Sequence, residues 1–148
     1  AERSHDGLWT WRVRVPGRPV DARRLPNGRT LVALLDDRRL VELDADGQLV
    51  WESGEIPQPR WTQRLPNGHT LVTSWGGAQL LEFAENGRDV VWSRIAMRPY
   101  YAAVRLPEQQ TVIGDPSGLQ WIGRDGQAAW KVDAITATGL AVIPRVAP

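Results

Sequence analysis

The sequence predicts an all-β chain built from repeated four-stranded units, and three observations carry that expectation. The phrase Leu25-Pro26-Asn27-Gly28-Arg29-Thr30-Leu31-Val32 returns as Leu65-Pro66-Asn67-Gly68-His69-Thr70-Leu71-Val72, and a worn third copy begins at Leu106-Pro107. Trp11, Trp51, Trp92 and Trp130 recur in step with it, at intervals of 40, 41 and 38 residues. Inside each unit apolar residues alternate with period two between turn-forming residues, and no window shows the spacing of a capped amphipathic helix. A period near forty marks a modular architecture in which each unit is one supersecondary element.

In the copy spanning about residues 20–53, a first strand runs from Val20 to Leu25. It ends at Pro26-Asn27-Gly28, where asparagine and glycine hold the positive φ of a tight hairpin. Arg29 to Leu35 is the second strand, Asp36-Asp37 turns the chain into Arg39 to Asp44, and Asp46-Gly47 leads to the fourth strand at Gln48 to Glu52. The second copy, about 61–94, repeats this with turns at Asn67-Gly68, Gly76-Gly77 and Asn86-Gly87. The third, about 102–132, has Glu108-Gln109 in place of Asn-Gly and keeps Asp125-Gly126. The ends are fragments: residues 6–13 match a fourth strand, and residues 139–144, Gly-Leu-Ala-Val-Ile-Pro, match a first strand. Four-stranded units repeated about an axis are β-propeller blades, so residues 1–148 read as one propeller segment of three full blades with terminal half-blade strands.

Composition narrows the function classes. The chain has 148 residues, 18 basic against 17 acidic, a net charge of +1 and no cysteine. That balance supplies no field for nucleic acid or anionic lipid. The absence of cysteine removes thiol nucleophiles, disulfides and thiolate metal sites. No stretch approaches the roughly 20 apolar residues of a membrane span. The opening Ala1-Glu2-Arg3-Ser4 is compatible with cleavage of a leader or with an arbitrary cut of a longer chain; the compartment expected is periplasmic or secreted, and the cytoplasm is the alternative.

The Leu-Pro-Asn-Gly-x-Thr-Leu-Val phrase, followed by Leu40-Val41-Glu42-Leu43-Asp44-Ala45-Asp46-Gly47-Gln48-Leu49-Val50-Trp51-Glu52, resembles the blades of pyrroloquinoline-quinone-like and arylsulfotransferase-like propellers. The resemblance covers about residues 6–144. It implies that Trp11, Trp51, Trp92 and Trp130 dock neighbouring blades, and that the complete ring has six to eight blades. Three units leave two open sheet faces. The expectation is either that chains associate to complete a ring or that the segment belongs to a longer protein. Family sulfotransferases use histidine and arginine at the channel mouth, whereas the matching positions here are Asp21, Trp61 and Ala102. Quinone-binding members add metal ligands and often adjacent cysteines that this chain lacks, so no cofactor is expected.

Two groups of residues are candidates for ligand binding. Arg24, Arg64 and Arg105 stand immediately before the repeated leucine in all three copies. On a channel wall they would hold an anion through their guanidinium forks; alternatively each pairs with an acid in its own hairpin as part of the scaffold. Arg60, Trp61, Trp75, Arg98, Tyr100 and Tyr101 depart from the repeat and lie in the loops entering the channel or beside them. They read either as an aromatic and cationic patch for a sugar, peptide or aryl ligand or as filling at an irregular junction. No catalytic or metal-binding residue is expected. His69 occupies a variable hairpin slot, and Asp36-Asp37 supplies too few oxygens for calcium. The function expected is a non-catalytic module binding a protein or a small polar or anionic ligand. The alternatives are a fragment of an arylsulfotransferase-like or quinoprotein-like enzyme and a structural subunit of a larger assembly.

Overall fold

Turn chemistry places the strand ends. In the computed structural model, which describes residues 2–123 and 125–133, the first repeated hairpin is closed by the Gly28 N–H donating to the Leu25 carbonyl at 3.0 Å. Gly28 sits at φ +80, and the Asn27 carboxamide oxygen accepts the Arg29 N–H at 3.0 Å. The second copy matches it, with Gly68 at φ +85 and the Asn67 oxygen on the His69 N–H at 3.1 Å. These residue types are the ones that reach left-handed backbone or bond their own chain two residues on.

The strands form three four-stranded antiparallel meanders. The first blade holds β3 (Pro19–Arg24), β4 (Thr30–Leu34), β5 (Arg39–Leu43) and β6 (Leu49–Glu52). The second holds β7 (Pro59–Arg64), β8 (Thr70–Ser74), β9 (Gln79–Phe83) and β10 (Val90–Ile95). The third holds β11 (Ala102–Arg105), β12 (Thr111–Asp115), β13 (Gly118–Ile122) and β14 (Ala128–Asp133). The fold is all-β and made of propeller blades, and among the described residues no helix is long and apolar enough to cross a membrane. The first-strand match at 139–144 lies outside the described residues.

Two local features differ from the sequence reading. The N-terminal strand β2 (Trp9–Trp11) is not solitary, because the turn through Ser4 to Leu8 pairs it with β1 (Glu2–Arg3). In the third blade the worn hairpin keeps the span of the others, with the Leu106 N–H on the Gln110 carbonyl at 2.8 Å where Leu25 bonds Arg29. A 3-10 turn over Pro107–Gln109 achieves this by putting Gln109 at φ +63, the conformation glycine holds elsewhere. A side chain there is disfavoured by about 1–2 kcal/mol. Gln109→Gly is therefore expected to raise the urea midpoint, equivalent to about 0.5–1 kcal/mol, after glycine's larger unfolded-state entropy is subtracted; an unchanged or lower midpoint contradicts this.

Packing runs from blade to blade. The central strands read as continuous apolar runs, because both faces of each sheet are covered; all five residues of β4 and of β8 are buried. Leu31, Ala33 and Leu40 of the first blade meet Val72, Leu81 and Phe83 of the second. Leu71 and Leu80 on the opposite face meet Ile113 and Ile122 of the third. Each such leucine or isoleucine contributes about 1.5–3 kcal/mol on burial. The remaining face of the first blade, Val32, Leu34, Val41 and Leu43, is covered by Trp11, Val13 and Val15, so the N-terminal segment stands where a preceding blade would.

Candidate functional site

Each blade junction is fastened by one recurring constellation. The repeated tryptophan projects from the outer strand of one unit and stacks on the repeated arginine at the end of the next unit's first strand. The guanidinium carbon lies 4.7 Å from the ring centroid for Arg24 on Trp11, 4.7 Å for Arg64 on Trp51, and 4.9 Å for Arg105 on Trp92. The Trp11 indole N–H donates to the Ala45 carbonyl at 2.8 Å, and that of Trp51 to the Glu85 carbonyl at 2.9 Å. Gly87 in the receiving hairpin has no room for a side chain, since a Cβ would fall 2.4 Å from the Trp51 ring.

A carboxylate on the third strand completes two of these junctions. Glu42, 5% exposed and directly opposite Trp51, accepts Arg64 at 2.5 Å and Arg29 at 3.1 Å. Glu82, opposite Trp92, holds Arg105 at 3.1 Å, and the His69 Nδ1 lies 2.9 Å from it in the place of Arg29. The acid thus belongs to the preceding blade rather than to the arginine's own hairpin, because the face bearing Glu42 or Glu82 is turned toward the next blade. Sequence reasoning passed over these two glutamates, although their spacing of 40 residues is within one of that between the tryptophans beside them.

The inner strands are tied side to side. Asp21 accepts the Thr62 N–H at 2.9 Å and the Thr62 hydroxyl at 3.0 Å. Gln63 bonds both backbone groups of Arg105, accepting its N–H at 2.8 Å and donating to its carbonyl at 3.1 Å. Trp61, Ala102 and Val104 are buried between blades. Side chains of the inner strands thus serve the junctions, since a radially arranged sheet turns its faces to its neighbours and its edge to the axis. A groove of about 560 Å³ follows these strands, lined by Arg23, Trp61, Gln63 and Val104 among others.

The residues that depart from the repeat divide into three groups. Arg60, Trp75 and Tyr101 come together as a half-buried stack: the Arg60 guanidinium carbon lies 4.2 Å from the Trp75 ring centroid, and the Trp75 and Tyr101 rings are 5.3 Å apart and tilted by 41°. The Trp75 N–H anchors this stack to the Tyr100 carbonyl at 3.1 Å. Arg60 has no carboxylate partner among the described residues, and its Nε is buried without an acceptor. Tyr100 and Trp61 point inward instead, 3% and 6% exposed, and the Tyr100 hydroxyl accepts from Arg94 at 3.3 Å. Arg98 is exposed on the connection beside Met97, and Trp130 is 53% exposed on the outer strand of the third blade. No three metal-ligating side chains gather among the described residues.

No protein-family model and no curated protein matches this sequence. Solved structures do resemble its fold. A Bacteroides caccae protein of unknown function superposes with a TM-score of 0.70 at 20% identity, over 88% of this chain and 52% of its own. A streptogramin B lyase gives 0.65 at 14% identity, over 82% and 43%. The WD40 β-propeller domain of Doa1 gives 0.63 at 15%, over 78% and 40%. The chain therefore spans about half the length of these structures, and the likeness is one of β-propeller fold.

Proposed function

We propose that this chain is a β-propeller binding module whose recognition site is the rim stack of Arg60, Trp75 and Tyr101, with Arg98 exposed on the connection that leads to Tyr101. The carrying observation is Arg60. The junction arginines Arg64 and Arg105 are matched to buried carboxylates, whereas Arg60 is held on an aromatic face with its charge uncompensated by any described carboxylate. A cation fixed on an aromatic face suits a ligand with an anionic group on a planar or apolar body, such as an aryl sulfate or an acidic peptide bearing an aromatic residue. Arg24, Arg64 and Arg105 contribute to the module by holding the blades that carry these loops.

Titration with 4-nitrophenyl sulfate, followed by tryptophan fluorescence, tests the reading. Saturable quenching is expected, weakened about tenfold in Arg60→Gln and lost in Trp75→Ala, while circular dichroism stays unchanged. Quenching equal in parent and variants, or none with either this probe or an acidic aromatic peptide, overturns it. Release of 4-nitrophenol in the same titration favours the enzyme reading, a share of an arylsulfotransferase-like propeller, over a binding module.

A further inference from the structure

The connection from β10 to β11 is an arch with both feet on one turn. At one end the Ala96 N–H donates to the Ala78 carbonyl at 2.8 Å, and at the other the Tyr100 carbonyl accepts the Trp75 indole N–H at 3.1 Å. Trp75 and Ala78 are the two ends of a single turn, closed by the Ala78 N–H on the Trp75 carbonyl at 3.1 Å. The arch therefore stands beside the rim stack and runs into it at Tyr101. Met97 and Arg98 at its tip are exposed, as is Ile95 at its foot. Three arginines belong to this surface, and none meets a carboxylate among the described residues. Arg60 lies on the Trp75 ring, the half-buried Arg94 donates to the Tyr100 hydroxyl at 3.3 Å and the Gly126 carbonyl at 2.5 Å, and Arg98 is exposed at the tip.

We propose that the arch and the rim stack together dock one acidic protein segment that carries apolar side chains between its carboxylates. This rests on the rim-stack reading above and commits it to a protein partner. The argument is charge complementarity. A single aryl anion neutralises one guanidinium, whereas cations spread from the Trp75 ring to the arch tip match carboxylates spaced along an extended chain. Ile95 and Met97 fall between Arg94 and Arg98 in the sequence and offer apolar contact there. Methionine's unbranched side chain adapts to an irregular partner. A nucleic-acid backbone would engage the arginines and leave both apolar side chains in water, so the surface favours protein.

Fluorescence anisotropy on the full chain tests this, with fluorescein-labelled Glu-Phe-Glu-Leu-Glu and its counterpart with lysine in place of glutamate. The acidic peptide is expected to bind, and Met97→Ser and Arg98→Gln are each expected to weaken it about fivefold. Both side chains are exposed, so the variants are expected to keep the parent's circular dichroism. Unchanged affinity in both variants overturns the proposal, as does equal binding of the basic peptide or tighter binding of oligothymidylate; weakening by Arg60→Gln then leaves the rim-stack reading in place. Failure of the acidic peptide to bind, beside saturable quenching by 4-nitrophenyl sulfate, overturns the protein partner alone. Silence from both probes overturns the two readings together.

Discussion

Glu42→Ala is expected to destabilise the chain by about 3–5 kcal/mol, lowering Tm by roughly 10 °C. The side chain is 6% exposed and serves Arg29 and Arg64 together. Its removal leaves the Arg64 guanidinium, only 16% exposed, stacked on Trp51 without a counter-charge. The large term is that uncompensated cation rather than the net worth of the pair, which against an apolar replacement is close to zero. Thermal unfolding separates these two statements. Glu42→Ala combined with Arg64→Leu should recover much of the loss, and a double variant as unstable as the sum of the singles would show that the carboxylate acts in some other way.

Trp61→Ala is expected to destabilise by about 4 kcal/mol, because a large side chain leaves a cavity among Leu65, Leu71, Tyr100, Val104 and Ile113. Trp61→Phe is expected to stay within about 1 kcal/mol of the parent. It removes the Trp61 indole N–H, which is buried without a partner among the described residues, and that relief offsets the lost volume. A denaturant midpoint for Trp61→Ala near that of the parent would contradict the buried placement. The contrast bears on function: a loss of ligand binding in Trp61→Ala would report on a damaged fold, whereas the same loss in Arg60→Gln would report on the rim stack itself.

Much of the architecture was legible in the sequence because its signals are local. Period-two alternation and Asn-Gly turns mark strands and hairpins from neighbouring residues alone. The 3-10 turn at Gln109 was harder to read, since the demand for a positive φ there comes from the hairpin's fixed span and not from the residue type. The candidate site was legible only as a set of residues that break the repeat. That Arg60, Trp75 and Tyr101 stack while Trp61 and Tyr100 turn inward depends on which face of each strand meets a neighbouring blade.

The roles of the arginines illustrate the same limit. Their repetition was plain in the sequence and compatible with either an anion site or a scaffold device. Each guanidinium lies against the tryptophan that ends the preceding unit, and the acids of Glu42 and Glu82 reach across a junction rather than within a hairpin. By itself the sequence determined the strand order within the blades, their Asn-Gly and Asp-Gly hairpins and the all-β repeat, because hydrogen-bonded meanders and their hairpins are built from contiguous residues. Only the tertiary structure decided which charges are compensated and which aromatic faces remain accessible, because both depend on how one blade's face is set against the next.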